Sequence, residues 1–159
     1  MATTTRRSLF FLLSALAAAC GGDPGTTGAS DGVSAVVEQA TSENARHAEV
    51  CRHTESMSAI LDDVTRHEST MNGLMARMAA DGDQMRAGMD AHSCSEQGMD
   101  HMSQDVTNTN VEVALHSSRM RAADTLGAGH YECAVHAQEL RAMLEVMSND
   151  WRSMSCTPK

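Results

Sequence analysis

Apolar residues recur along the chain in alternating steps of three and four. Between positions 33 and 92 this stripe consists mostly of Val, Leu, Met and Ala, with polar interruptions such as His47 and Glu68. After residue 99 the spacing resumes, and from Cys133 to Met154 it continues in a shifted register. Such spacing places apolar side chains on one face of a helix, and no strand-like alternation of any length occurs. The sequence therefore predicts an all-α fold of helices packed side by side.

The first twenty residues do not follow this pattern. They contain Arg6 and Arg7, an apolar run over 9–16, and small residues ahead of Cys20. The run is too short to span a bilayer as a mature helix, so residues 1–19 are interpreted as a cleaved signal peptide. The segment "AAAC" at 17–20 resembles the lipobox of bacterial lipoproteins.

That resemblance implies lipid attachment at Cys20 and a location in the cell envelope. Gly21 stands where an Asp would imply retention in the inner membrane, which favours the outer membrane, facing the periplasm or the cell surface. Residues 20–32 are rich in Gly, Thr and Ser and are predicted to form a flexible tether. Residues 33–159 would then form the folded domain.

The sequence allows two helix counts. A turn near 58–63 would give an up-and-down bundle of four helices of about 26 to 31 residues each. If the first helix instead ended at Asn72-Gly73 or at 81–83, the domain would have three long helices. Further turns are predicted at 92–98 and 126–130, where Gly and Ser are concentrated.

The cysteines favour four helices. In that layout Cys51 and Cys133 lie at one end of the bundle, and Cys94 and Cys156 at the other. Three helices would leave an axial mismatch of roughly 10 to 20 Å in both pairs, which a disulfide cannot span. An even number of cysteines in an exported chain also favours disulfides. We therefore predict the bridges 51–133 and 94–156.

Charge and aromatic content limit the classes of partner. The 12 basic residues less Arg6 and Arg7, against 21 acidic residues, leave a formal charge of −11 after signal removal. Such a surface disfavours nucleic acid and anionic lipid, and Tyr131 and Trp151 alone provide no stacking platform. The expected partners are the membrane, through the lipid anchor, and a protein.

Three segments, 49–57, 63–71 and 112–120, each contain an acid, a histidine and a methionine spaced four residues apart. Residues four apart lie on one helix face, where imidazole and thioether groups could bind copper and the acid could orient the imidazole. The His–Met pair resembles one used by ferritin-like helical proteins linked to copper handling. The candidate metal ligands are His53, Met57, His67, Met71, His116 and Met120. The alternative is that these methionines fill the core and the acid–histidine pairs stabilise helix surfaces.

A second candidate metal patch lies near the predicted bridge 51–133. Acids also precede His47 and His136 by four residues, and the fold would bring both histidines to that end of the bundle. The patch consists of His47, His130 and His136.

Enzyme motifs are absent from the sequence. No acid precedes a histidine by three residues, as the di-iron bundles require, and no nucleophile elbow or phosphate loop occurs. We predict a non-catalytic lipoprotein that binds or buffers metal ions, copper before others. The alternative is a structural or protein-interaction bundle without metal.

Overall fold

The computed structural model describes residues 27–88, 92–93, 96–154 and 157–158. Four helices account for most of them: α1 (Thr27–His53), α2 (Met57–Ala87), α3 (Glu96–Ala122) and α4 (Leu126–Ser153). Two short strands, β1 (His92–Ser93) and β2 (Thr157–Pro158), pair in an antiparallel manner. The predicted all-α four-helix bundle is therefore confirmed. The signal peptide, Cys20 and the predicted bridge 94–156 lie outside the described residues.

The helices follow one another around the bundle. Helix α1 packs against α2 and α4, and α3 packs against the same two helices. Helices α1 and α3, like α2 and α4, therefore face each other across the bundle axis. In the described part of the chain, none of the helices combines the length and apolar character needed to cross a membrane.

The first turn lies slightly earlier than predicted. Residues 54–56 connect α1 to α2, just before the segment 58–63. Ser56 has an extended backbone, with φ −132° and ψ 124°, and forms the N-cap of α2. A serine at this position is typical of a helix start.

The predicted turn at 126–130 is wrong, because these residues form the first turn of α4. The connection is residues 123–125, and the Thr125 side chain caps α4 by accepting a hydrogen bond from the Ala128 N–H at 3.2 Å. Gly129 is needed for packing and not for a turn. A Cβ at this position would lie 2.9 Å from the Met57 sulfur.

Helix α1 begins at Thr27, inside the segment 20–32 that was predicted to be a tether. The helix is anchored further along by Val33, Val36 and Val37, which are buried. Once a helix is anchored in this way, each preceding residue can join it for one further hydrogen bond, even where the composition is unfavourable.

Two apolar clusters fill the bundle. The larger one contains Val36, Met75 and Leu144, and the smaller one surrounds Ile60 and Val64. Every helix contributes to both clusters, and between these two contributions it carries buried polar residues that together form a polar layer. Burying polar groups is unfavourable unless they find partners, so this layer calls for a functional explanation.

The bridge between Cys51 and Cys133 is confirmed. It joins α1 to α4 with a Cα–Cα distance of 6.2 Å and a sequence separation of 82 residues. Closing so long a loop in the unfolded chain contributes about 2 to 5 kcal/mol to stability.

Candidate metal centre

Each helix contributes one histidine to the polar layer. All four imidazoles are buried, with at most 1 % of their surface exposed: His47, His67, His116 and His136. The rings of His47 and His67 stack with centroids 4.2 Å apart, and those of His116 and His136 stack at 3.9 Å. The two stacks meet edge to face at the centre of the bundle. We call this group the four-histidine centre.

The Nε2 atoms of the centre meet across the two diagonals of the bundle. His47 Nε2 lies 3.1 Å from His116 Nε2, and His67 Nε2 lies 3.2 Å from His136 Nε2. Two nitrogens bound to one tetrahedral ion at about 2.0 to 2.1 Å lie about 3.3 Å apart. Both pairs therefore have the separation of two ligands on one ion.

Carboxylates hold the opposite nitrogen of three of these rings. Nδ1 of His47 donates to Asp63 at 2.7 Å, and Nδ1 of His67 donates to Glu43 at 3.0 Å. Glu112 accepts from His136 Nδ1, also at 3.0 Å. A carboxylate on the distal nitrogen fixes the tautomer and the orientation of a ligating histidine.

These carboxylates do not serve the histidine of their own helix, as the sequence had suggested. Glu43 precedes His47 by four residues but contacts His67 on α2, while Asp63 precedes His67 and contacts His47 on α1. Because the two helices are antiparallel, an acid one turn before its own histidine lies level with the histidine of its neighbour. The i, i+4 spacing of acid and histidine therefore reflects two contacts between helices, in which each helix supplies the carboxylate for the other helix's histidine.

Arginines hold the carboxylates in turn. Arg46 forms ion pairs with both Glu43 and Asp63, at 2.9 and 2.8 Å. Arg66 also bridges these two acids, and Arg119 pairs with Glu112 at 3.0 Å. Each buried carboxylate is thus fixed by a guanidinium on one side and an imidazole on the other.

Burial keeps the imidazoles neutral. Desolvation, followed by the neighbouring imidazoles, lowers the pKa of His67 and of His116 to about 2. The same causes lower the pKa of His136 to about 3, and burial also lowers that of His47. Neutral imidazole is the form that binds metal ions, so the centre is in its ligand state at neutral pH.

The carboxylate contacts also determine where the lone pairs lie. A carboxylate accepts, so the Nδ1 atoms of His67 and His136 carry the hydrogens and their Nε2 atoms carry lone pairs. With both hydrogens on Nδ1, neither ring can donate a hydrogen bond across the 3.2 Å that separates the two Nε2 atoms. Such a contact is repulsive unless a cation lies between the two nitrogens.

His116 differs from the other three histidines. Its Nδ1 is buried and has no hydrogen-bond partner among the described residues. By analogy with Asp63, which lies on α2 and contacts His47 on α1, the acid expected at His116 on α3 is Glu132 on the neighbouring helix α4. The Glu132 carboxylate is 25 % exposed and lies 3.9 Å from Arg119.

The centre combines residues from both candidate sites that the sequence suggested. His67 and His116 come from the first set, and His47 and His136 come from the second. Met71 and Met120, the predicted thioether ligands, belong to the two apolar clusters, and Met57 is half-buried at the edge of the smaller one.

Two predicted ligands lie elsewhere. The side chain of His53 is 68 % exposed and pairs with Glu49 on its own helix, so it does not meet His116. His130 donates from Nε2 to the Thr54 carbonyl at 2.9 Å, which ties the start of α4 to the first connection.

A signal for the complete centre was present in the sequence. The pattern of an acid four residues before a histidine occurs in each helix, at 43–47, 63–67, 112–116 and 132–136, and a second time in α1 at 49–53. Both diagonal histidine pairs are separated by 69 residues. The same spacing relates the two halves of the chain, so one acid–histidine hairpin occurs twice.

The disulfide lies beside the centre. The Cys51 sulfur is 3.6 Å from His47 Nε2. Ligand atoms of Cys133, His47 and His116 all lie within 4.8 Å of one another, which is compatible with a shared metal ion. While Cys133 is bonded to Cys51, however, its sulfur is not a thiolate. In the disulfide form, the four imidazoles are the remaining ligands, and their two diagonal pairs must approach each other to share one ion, because the four ligand nitrogens do not all lie within 4.8 Å of one another.

No protein-family model, curated protein or solved structure matches this chain.

Proposed function

We propose that this protein binds one late first-row transition-metal ion in the four-histidine centre. The observation that carries the proposal is that His67 and His136 each contact a carboxylate through Nδ1 while their Nε2 atoms lie 3.2 Å apart. A cation between them turns a repulsive contact into two coordinate bonds. His47 and His116 form the second Nε2 pair, 3.1 Å apart on the other diagonal, and the two pairs would have to move closer to each other to complete a tetrahedral set around one ion.

Zinc and copper fit this set of ligands best. Imidazole nitrogen binds zinc, copper and nickel, and four neutral imidazoles with carboxylate partners suit a tetrahedral ion. The sequence favoured copper through its methionines, but Met71 and Met120 are core residues, so copper here would depend on the imidazoles as zinc does. We therefore propose zinc or copper as the bound ion.

The role we propose is metal binding or buffering and not catalysis. A site with four protein ligands leaves no open position for a substrate, which is typical of structural or storage sites. The acidic surface would raise the local concentration of cations. Glu43 contacts His67 and also lines a surface groove together with Arg46 and Ser42, so this carboxylate connects the groove to the centre.

The experiment is a competition titration of purified protein with Zn²⁺ and with Cu⁺ against a chromophoric chelator. Wild-type protein should bind one ion per chain, and replacement of His67 or His136 by Ala should weaken binding by at least a hundredfold. His53→Ala is the matched control, because His53 is exposed, and it should bind like wild type. Affinity no tighter than micromolar for either ion in the wild-type protein would contradict the proposal.

We also propose that the bundle is exported and anchored to the envelope through a lipid on Cys20. The support is the signal-like segment 1–19 and the lipobox-like "AAAC". Cys20→Ser should prevent labelling with a fatty acid and release the protein from membranes. Equal labelling of the variant and the wild type would exclude this attachment site.

Docking of a protein partner is the second candidate function. Val111 and Leu115 lie one turn apart on α3, and both side chains are about half exposed. Replacing both by Ser should abolish co-purification of a partner from cross-linked envelopes without changing metal content. Recovery of the same partner with the variant would exclude this surface.

A further inference from the structure

We propose that the Cys51–Cys133 disulfide is a redox control on the metal centre. Its reduction frees Cys133 to bind the metal ion as a thiolate together with His47 and His116. This inference rests on the proposed function, since it requires a metal ion in the polar layer.

The disulfide is placed to act on the centre. Cys51 lies one turn after His47 on α1, and Cys133 lies just under one turn before His136 on α4. Both cysteines are almost fully buried and belong to the smaller apolar cluster, where the Cys51 sulfur contacts His47 of the four-histidine centre. The oxidised pair thus forms one wall of the site.

The distances allow Cys133 to become a ligand. Its sulfur and the ligand nitrogens of His47 and His116 lie within 4.8 Å of one another. In a tetrahedral zinc site with bond lengths of about 2.3 Å to sulfur and 2.0 Å to nitrogen, sulfur and nitrogen lie about 3.5 Å apart. Once the bond to Cys51 is broken, rotation about the Cα–Cβ bond of Cys133 can cover the difference.

The two sulfurs differ in this respect. Cys51 contacts His47 at 3.6 Å, but it does not belong to the group that also includes His116. Of the two, only Cys133 therefore lies within reach of histidines from both diagonal helices, α1 and α3. This difference makes the inference testable with single variants.

The chemistry requires an external dithiol. Two S–H groups of the reductant supply two electrons and two protons, the Cys51–Cys133 bond breaks, and the reductant leaves as its own disulfide. Cys133 then loses its proton to solvent as it binds the metal, because cysteine coordinates as the thiolate. Cys51 remains a thiol.

A reductant can reach the bond from the end of the bundle. Helix α1 ends at His53, two residues beyond Cys51, and the connection to α2 follows immediately. Helix ends open with little free-energy cost compared with the middle of a bundle. The packing of the four helices does not depend on this bond alone, so the centre persists after reduction.

The consequence is a change in metal preference. Thiolate is a softer ligand than imidazole and selects Cu(I) and zinc. Reduced protein should therefore hold these ions more tightly than oxidised protein, and oxidation should release them. The protein would bind or release its metal according to the redox state of its surroundings.

The test uses Co²⁺ as a spectroscopic substitute for zinc. Oxidised protein should show visible bands of tetrahedral cobalt without a thiolate-to-cobalt charge-transfer band in the near ultraviolet. Reduction by a dithiol should add that band. Cys51→Ser should show it without reductant, because Cys133 is then free, whereas Cys133→Ser should not.

The two variants are matched controls for each other. Both remove the same disulfide and retain the same number of cysteines, so the loss of the cross-link is common to both and only the cysteine that is set free differs. Cys51→Ser should also bind Cu⁺ at least tenfold more tightly than Cys133→Ser. Should either variant fail to fold, the comparison of oxidised with reduced wild type still decides.

The outcomes separate this inference from the proposed function. Cobalt binding without a thiolate band in reduced protein or in Cys51→Ser would overturn the redox inference and leave the four-histidine centre intact. A band of equal strength in Cys133→Ser would also overturn it. Failure of the oxidised protein to bind Co²⁺ at all would contradict the proposed function itself.

Discussion

At the scale of single residues, the four-histidine centre is nearly symmetric. Three imidazoles donate from Nδ1 to a carboxylate on the neighbouring helix, whereas Nδ1 of His116 has no partner in the part of the chain that the structure describes. If His116 binds a metal ion through Nε2, its hydrogen must move to Nδ1, and this buried donor then needs an acceptor. Glu132 on α4 corresponds to Asp63 on α2, which accepts the hydrogen bond from His47.

We therefore expect Glu132 to accept from His116 in the metal-bound protein. Glu132→Ala should lower metal affinity about tenfold or more, the effect typical of removing a carboxylate behind a ligating histidine. Glu139→Ala is the control, because Glu139 also lies near Arg119, at 3.8 Å, but is not among the carboxylates that hydrogen-bond to the imidazoles in the described part of the chain. Equal affinities of the two variants in a chelator competition would show that Glu132 has no such role.

At the scale of helices, the sequence predicted the elements better than their ends. The stripe of apolar residues identified the helices because burial follows the helical period, and it also suggested the bridge between Cys51 and Cys133. The glycines at 127 and 129 were misinterpreted as a turn, since the packing of Gly129 against Met57 depends on a residue distant in sequence. Thr125, the true cap, resembles many other threonines.

The same limit applies to the site. Spacing along one helix revealed His67 and His116, but it could not show that Glu43 serves a histidine on α2 and not its own. It also gave equal weight to Glu49–His53, which is an exposed pair near the end of α1. Which of several similar pairs faces the bundle axis is decided by packing between helices, and a single-helix pattern does not contain that information.

The continuity of α2 leads to a stability prediction. Gly73 lies in the middle of this helix, and a Cβ at that position would meet nothing within 4 Å. Gly73→Ala should raise the free energy of unfolding by about 0.5 to 1 kcal/mol, because alanine loses less backbone entropy in a helix.

Urea denaturation of Gly73→Ala and wild-type protein measures this effect. Gly129→Ala provides the contrast, since its Cβ would lie 2.9 Å from the Met57 sulfur and force that side chain to move. The free energy of unfolding of Gly129→Ala should therefore rise less than that of Gly73→Ala. A destabilised Gly73→Ala would indicate a turn at Asn72-Gly73 and contradict the continuous helix.

At the scale of the whole molecule, the bundle has two apolar clusters joined by one polar layer. The layer contains four neutral imidazoles and three carboxylates held by arginines. Without a metal ion, the stability of the fold depends on keeping those imidazoles uncharged. This dependence should be visible in the response of the whole protein to pH.

We expect the metal-free protein to lose stability as the pH falls below about 6.5. The unfolded chain protonates its histidines near that value, whereas the pKa values of His67, His116 and His136 in the fold are lowered to about 2, 2 and 3. The unfolded state therefore binds more protons, and each such histidine lowers the free energy of unfolding by about 1.4 kcal/mol per pH unit. The loss should continue until the pH approaches the folded pKa values.

Urea denaturation at pH 7.5, 6.5 and 5.5, in the presence of a chelator, measures this dependence. His67→Phe should show a shallower slope than wild type, because one lowered pKa is removed. The exposed His53→Ala should keep the slope of the wild-type protein. Stability that is unchanged between pH 7.5 and 5.5 would contradict neutral buried imidazoles.

X-ray absorption spectroscopy shows whether four imidazoles bind one metal ion. The sample is disulfide-intact protein loaded with one equivalent of Zn²⁺. The predicted spectrum has four nitrogen neighbours at about 2.0 to 2.1 Å, with the outer-shell scattering of imidazole rings and no sulfur. A first shell of oxygens with fewer than three imidazoles, or a protein that retains no zinc, would contradict the account.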